Sequence, residues 1–216
     1  MFPLLVLLLF VVSGGFATEC KINECYGPMQ QFLGLRISQP WSNPEEFREE
    51  IEVSYKVQNA ADGLRKLCKA FRDFRSCMND SYRQCLTPAN VVKIGVTPKA
   101  AYEFVSIFSQ LHYTCGAGVN VFLNNQKCMQ STWGHFDRDL EDARKNYNIK
   151  VDSDPINVCT YGNNLLNKYG RVFNDCEQVR RDAEFWGCEY ARIYVFNRFP
   201  QCSLRCTIPT VGGIIG

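Results

Sequence analysis

The sequence of 216 residues predicts an all-α fold, a disulfide-stapled bundle of about six or seven amphipathic helices. Apolar residues recur at steps of three and four along most of the chain, which is the period of a helix with one buried face. Twelve cysteines, an even number, all follow residue 17. Strand-like sequence is concentrated in residues 91–96, which we interpret as a linker between helices.

Residues 1–17 have the features of a signal peptide. An apolar run over residues 4–12 is followed by small residues at Gly15 and Ala17, as at a cleavage site. The run is too short to span a bilayer, which needs about 20 apolar residues. We therefore expect cleavage after Ala17 and secretion of residues 18–216 as a single cysteine-rich helical domain without a membrane span.

The cysteines predict a disulfide framework formed in an oxidising, extracellular compartment. A zinc site is disfavoured because the sequence has no C-x-x-C pair and only two histidines. Twelve cysteines allow about ten thousand pairings, so the spacing leaves the connectivity open. The predicted disulfide residues are Cys20, Cys25, Cys68, Cys77, Cys85, Cys115, Cys128, Cys159, Cys176, Cys188, Cys202 and Cys206.

Residues 18–42 show no sustained period, and we predict an irregular segment that its two cysteines attach to the domain. The first helix begins at Asn43, a favourable N-cap, and Pro44 follows at the first helical position. The glutamates among residues 45–52 indicate a helix N-terminus and a solvent-exposed helix face rather than a calcium-binding loop. The apolar stripe of this helix consists of Phe47, Ile51 and Tyr55.

Six further helical segments complete the predicted bundle. The second helix has Asp62 as its N-cap and keeps its apolar period as far as Tyr82. The third begins with Thr97 as N-cap, has Pro98 in its first turn, and stops at Gly116. The remaining four cover approximately residues 119–128, 131–147, 154–170 and 176–200, with Gly170 closing the third of these and Gly187 bending the last.

Two histidines, His112 and His135, are the candidates for acid–base or metal chemistry. The sequence contains no H-E-x-x-H, G-x-S-x-G or phosphate-loop motif. His112 lies on the apolar face of its predicted helix, which favours a core histidine bonded to backbone over a catalytic base. His135 and Asp139 are i, i+4 neighbours on a charged face, which favours a solvated charge pair over a metal site. We therefore predict no enzyme activity, no catalytic residue, no cofactor and no metal.

Composition and charge narrow the class of partner. Lys and Arg total 24 and Asp and Glu total 22, so the net charge is +2, which argues against nucleic-acid binding. A hydrophobic fraction of 46% argues for a packed globule rather than a disordered chain. The sequon formed by Asn79, Asp80 and Ser81 makes Asn79 a candidate for N-glycosylation, which requires an exposed position.

Two stretches of the sequence carry a resemblance to a known family. Residues 64–86 read LRKLCKAFRDFRSCMNDSYRQCL and residues 111–128 read LHYTCGAGVNVFLNNQKC. This helix–cysteine–helix–cysteine order resembles secreted cysteine-rich domains of nematodes, either those similar to chondroitin proteoglycan 4 or a related set of unknown function. The resemblance covers about residues 60–206.

The resemblance implies an extracellular protein, of matrix or eggshell, with no catalytic activity. Chondroitin is attached at Ser-Gly sites, and the only such pair here, Ser13 and Gly14, lies inside the predicted signal peptide. We therefore predict that the chain shares the domain without carrying the polysaccharide.

The leading functional hypothesis is a secreted, non-enzymatic structural or binding protein whose partner is an extracellular protein, a glycan or an apolar ligand. A carrier of lipid or another apolar ligand is the first alternative, since abundant Phe and Tyr suit a cavity as well as a core. A secreted hydrolase or an inhibitor is the second.

Overall fold

A computed structural model describes residues 20–176 and 182–207 of the chain. All regular secondary structure in this part is helical, which confirms the predicted all-α class. The predicted number of six or seven helices is wrong, because the described residues form eleven α-helices and two 3₁₀ turns. The predicted signal peptide, residues 1–17, lies outside the described residues.

The helices are numbered in chain order. They are α1 (Ile22–Leu33), α2 (Pro44–Lys56), α3 (Ala60–Met78), α4 (Ser81–Cys85), α5 (Pro88–Val92), α6 (Pro98–Thr114), α7 (Val119–Asn124), α8 (Gln126–His135), α9 (Asp137–Ser153), α10 (Val158–Phe173) and α11 (Asp182–Arg198), with 3₁₀ turns at Pro155–Asn157 and Asn174–Cys176.

The segment predicted to be irregular contains a complete helix, α1. Its buried residues Ile22, Cys25, Tyr26 and Met29 follow helical spacing, but Gly27 and Pro28 stand among them and obscure the pattern. Burial of this face against the core outweighs the poor helix propensity of the two interrupting residues.

Other differences in helix number arise where a turn interrupts a continuing apolar period. Asn79 ends α3 with a positive φ of 46°, so the predicted second helix is divided into α3 and α4. The predicted linker at residues 91–96 overlaps α5, and Phe136 separates α8 from α9 within the predicted helix at 131–147. The interruptions are local turns, to which hydrophobic periodicity is insensitive.

The predicted N-caps are confirmed for two helices. The side-chain oxygen of Asn43 accepts from the Glu46 amide at 3.4 Å, and Thr97 Oγ1 accepts from the Ala100 amide at 3.2 Å. The cap of α3 is Asn59 rather than Asp62, so this helix begins three residues earlier than predicted.

Helices α10 and α11 pack closely because small residues lie between them. A Cβ at Gly187 would approach the Tyr169 carbonyl oxygen to 2.8 Å, and the Phe173 ring more closely still. Helix α11 is continuous through Gly187, and the bend predicted there stays a prediction. Gly170, predicted as a helix end, lies inside α10, where a Cβ would make ordinary contacts with Glu184 and Cys188 of α11.

Aromatic rings fill the interior. Phe74 and Phe108 have ring centroids 4.8 Å apart, and the stacked rings of Trp186 and Tyr190 are 5.3 Å apart. Trp133 and Trp186 are completely buried. The interior is therefore a core in which aromatic side chains contact one another directly.

All twelve cysteines form disulfides, as predicted. The pairs are Cys20–Cys85, Cys25–Cys77, Cys68–Cys115, Cys128–Cys176, Cys159–Cys202 and Cys188–Cys206. Three bridges lie within residues 20–115, the N-terminal half, and three within residues 128–206, the C-terminal half. No covalent cross-link joins the two halves, so side-chain packing and polar contacts must hold them together.

Candidate anion-binding site

An open cleft of about 550 Å³ lies between the end of α3, helix α4 and the end of α6. Three arginines, Arg72, Arg75 and Arg83, line it together with His112. Asp80 is the one carboxylate among the described residues that line it. We call this feature the arginine cleft.

The arginine cleft follows from the sequence of α3 and the turn after it. Arg72, Arg75 and Asn79 are spaced three and four residues apart along one edge of the buried stripe of α3, so they form one exposed row beside Phe71. A turn at Asn79 separates α3 from α4, and Arg83 of α4 lines the same cleft as this row. The Cys68–Cys115 disulfide joins α3 to the end of α6, with Cα atoms 5.2 Å apart, and lies in the cleft wall.

Arg75 is held in position by two aromatic rings. Its guanidinium carbon lies 5.7 Å from the Phe71 ring centroid and 5.2 Å from that of Tyr82. Its Nη1 lies 3.2 Å from Nδ1 of His112. A stacked guanidinium of this kind is pre-organised, so it loses little side-chain freedom when it binds an anion.

His112 lies at the surface, so its predicted place in the core is wrong. A guanidinium can only donate, so Nδ1 of His112 must accept, and the proton of the neutral ring is on Nε2. Partial burial, followed by the charges of Arg75 and Arg83, lowers the pKa of His112 below its usual 6.5. At neutral pH the ring is uncharged and offers one N–H donor to the cleft.

The arginine cleft is suited to binding an anion. Three guanidinium groups face a single carboxylate, so the local charge is positive, and guanidinium groups match the paired oxygens of sulfate, phosphate and carboxylate. The contact between His112 and a cation, rather than a carboxylate, does not orient the ring as a general base.

Asn79, the predicted glycosylation residue, lies on the wall of the same cleft and is exposed. Its φ of 46° with ψ of −132° is a strained backbone conformation for a residue other than glycine. The third residue of the sequon, Ser81, is buried, and its hydroxyl donates to the Met78 carbonyl oxygen.

A second polar group, which we call the buried ion cluster, lies in the interior and consists of Arg48, Glu52, Glu103 and Arg144. Arg48 is only 1% exposed and donates to Oε1 of Gln110 at 2.5 Å. Its guanidinium nitrogens lie 3.8 Å from Glu52 and 3.9 Å from Glu103. Burial raises the pKa of Glu52, and Arg144, Arg48 and Lys56 oppose that rise.

The buried ion cluster links the two disulfide-bridged halves. Arg144 of α9 binds Glu45 of α2 with a nitrogen–oxygen distance of 2.9 Å. Asn148 of α9 donates to Oε1 of Glu103 at 2.8 Å, and the Tyr194 hydroxyl of α11 donates to the same oxygen. These polar contacts add to the apolar packing between the halves, such as that of Tyr55 against Trp133.

Some of the acidic residues of α2 form the solvent-exposed face that the sequence predicts. The Glu46 carboxylate accepts a hydrogen bond from the side-chain amide of Asn43, the N-cap residue. The Glu50 carboxylate accepts from the backbone and side-chain nitrogens of Arg36. Glu52 departs from the prediction, because it is buried within the ion cluster.

His135 lies at the surface with its ring 4.7 Å from that of Phe136.

No protein-family model, curated protein or solved structure matches the chain. Within the described ranges, no cluster of three or more ligating side chains is arranged for a metal ion, and no helix is long and apolar enough to cross a bilayer. The resemblance to the nematode domains thus rests on the motifs of residues 64–86 and 111–128.

Proposed function

We propose that this chain is a secreted, non-enzymatic extracellular domain that binds an anionic ligand in the arginine cleft. Six disulfides support the extracellular assignment, because such bridges persist in oxidising compartments. The apolar run before Ala17 supports export through a signal peptide.

The observation that carries the binding proposal is the grouping of Arg72, Arg75, Arg83 and His112 around one open cleft. Two contacts constrain its walls: the Cys68–Cys115 bridge lies on one side, and the Arg75 guanidinium lies against the Phe71 and Tyr82 rings. A site of this volume is within the range of small-ligand sites, about 300–1,000 Å³.

The packed interior favours a scaffold or recognition domain over a carrier of apolar ligands. The aromatic side chains of the core contact one another, with centroids 4.8–6.4 Å apart. The arginine cleft itself is polar and charged, which suits an anion better than a lipid tail. The contact of His112 with Arg75 supports a non-enzymatic role.

The family resemblance forms the second part of the proposal. A six-disulfide helical domain is compatible with the secreted nematode domains that residues 64–86 and 111–128 resemble. Because residues 18–216 contain no Ser-Gly pair, the domain would act without a chondroitin chain of its own. A chondroitinase-sensitive mass on secreted material would contradict this part.

The binding proposal is tested with the full chain secreted from eukaryotic cells and two probes, inorganic sulfate and a sulfated oligosaccharide of defined length. Binding is measured by titration calorimetry on wild type and on the Arg72→Gln, Arg83→Gln double variant. Each lost charge-assisted contact is worth about 1.5–3 kcal/mol, so we expect affinity to fall at least a hundredfold. Binding of the oligosaccharide with no binding of free sulfate would assign the ligand to glycans rather than to small anions.

The matched control is Arg65→Gln, which removes an exposed arginine from α3 outside the cleft. It should bind as wild type does. Equal loss in the control and the double variant, or no binding of either probe by wild type, would refute the proposal. N-terminal sequencing of the secreted protein tests cleavage after Ala17.

A further inference from the structure

Asn79 combines two properties that bear on the arginine cleft. It is the asparagine of the single N-x-S/T sequon in the sequence, and it lines the cleft together with Arg75, Arg83 and His112. A sugar attached to its side chain would therefore begin inside the proposed binding site.

The backbone of Asn79 is held firmly while its side chain is free. Its N–H donates to the Arg75 carbonyl oxygen at 2.9 Å, and its carbonyl oxygen accepts from the Tyr82 amide at 3.1 Å. Within the described ranges its side-chain amide makes no hydrogen bond. Attachment of a glycan to Nδ2 would thus break no internal contact, and the anchored backbone would keep the sugar at the cleft.

We infer that N-glycosylation of Asn79 closes the arginine cleft, so that only chains without this glycan bind the anionic ligand. The inference rests on the proposed function for the identity of the ligand. The cleft, at about 550 Å³, has room for a sugar, and its arginines offer hydrogen-bond donors to the sugar hydroxyl oxygens.

The structure also indicates at which stage of folding Asn79 can be glycosylated. Ser81 is only 8% exposed and bonded to the backbone of Met78, so the folded sequon does not present its hydroxyl. The bridges Cys25–Cys77 and Cys20–Cys85 enclose the sequon on both sides. Glycosylation must therefore precede local folding and disulfide closure, and each secreted molecule keeps the state it then acquired.

The test compares secreted chains with and without the glycan. Intact mass measures occupancy, and a lectin column separates the two fractions. We expect the glycosylated fraction to bind the sulfated oligosaccharide at least tenfold more weakly than the unmodified fraction. Ser81→Ala, which removes the sequon without altering a cleft residue, should behave as the unmodified fraction, and Ser81→Thr should restore both the glycan and the weak binding.

A second sequon serves as the control. Gln126→Thr places one at Asn124, an exposed residue of α7 that does not line the arginine cleft. In the Ser81→Ala background, a glycan there should leave binding unchanged. Equal affinity of the two wild-type fractions, or no glycan on Asn79 in a glycosylating cell, would overturn the inference.

Access to the cleft gives a readout that does not depend on the ligand. Phenylglyoxal modifies exposed arginines, and mass spectrometry follows its reaction with Arg72 and Arg83. We expect the glycan to slow this reaction several-fold while Arg65 reacts at the same rate in both fractions. If no fraction bound the oligosaccharide but the protection persisted, the proposed function would fail and the closure of the cleft would stand. Equal labelling would refute the closure itself.

Discussion

Arg48 provides the sharpest test of the buried ion cluster. It is completely enclosed, with its guanidinium 5.1 Å from the Tyr194 ring centroid and within 4 Å of two carboxylates. Replacement by methionine keeps a long unbranched side chain but removes the positive charge. The carboxylates of Glu52 and Glu103 would then stay buried without their nearest shared cation.

The expected cost follows from that uncompensated charge. Removing one partner of a buried ion pair typically costs about 3–5 kcal/mol, because the remaining charge stays desolvated. For a domain of this size, 1 kcal/mol corresponds to about 2–4 °C in Tm. Arg48→Met should therefore lower Tm by about 6–20 °C, with the larger values expected if Arg144 cannot move toward Glu103.

The assay is calorimetric unfolding at pH 7 with the disulfides intact. Arg138→Met, on the exposed face of α9, is the control and should change Tm little. A double variant, Arg48→Met with Glu103→Gln, should recover part of the loss because it also removes one orphaned charge. A Tm within about 2 °C of wild type for Arg48→Met alone would refute the view that these charges compensate one another.

Three further predictions concern the cleft and the helix packing. Because burial and two arginines lower the pKa of His112, its NMR titration midpoint should lie below 6.5, and Arg75→Gln should move it upward. Gly187→Ala should lower the free energy of unfolding by about 1–3 kcal/mol, measured in guanidinium chloride, because the added methyl group meets the backbone of α10. Replacing Cys68 and Cys115 by serine opens a loop of 47 residues, which should cost about 4 kcal/mol and weaken sulfate binding.

Each of these predictions has a control or a refuting result. Gly134→Ala places a methyl group in open space on α8, so it should be neutral or slightly stabilising. A midpoint of 6.5 or higher for His112 in wild type would contradict its contact with Arg75. Unchanged sulfate affinity after loss of the Cys68–Cys115 bridge would show that the bridge does not position the cleft.

Local signals in the sequence predicted the parts of the fold that depend on neighbouring residues. Asn43 and Thr97 begin helices because their side chains cap amides three residues ahead, and this chemistry is visible in sequence. Helix α1 was not predicted because Gly27 and Pro28 interrupt its period, and burial in the assembled core and the Cys25–Cys77 bridge hold it in place.

The arginine cleft and the buried ion cluster could not be predicted from local patterns, because both form through contacts between different segments of the chain. The arginine cleft needs the turn at Asn79 to bring Arg83 into the same cleft as Arg72, and hydrophobic periodicity does not reveal that turn. A signal was present in the three-residue spacing of Arg72 and Arg75 on the exposed face of α3. Arg48 and Glu52, at i and i+4 on α2, indicate an ion pair, but the same spacing occurs at the surface, so the sequence does not reveal its burial.

The separation of the disulfides into two halves determines how the molecule would respond to proteolysis. A single cut between residues 115 and 128 would leave two polypeptides with no covalent bond between them, so they would migrate separately in detergent without reductant. A cut inside a bridged loop, such as that closed by Cys25 and Cys77, would leave the chain at its full mass. Within residues 20–206, a single cut therefore separates the chain only in the short stretch around α7.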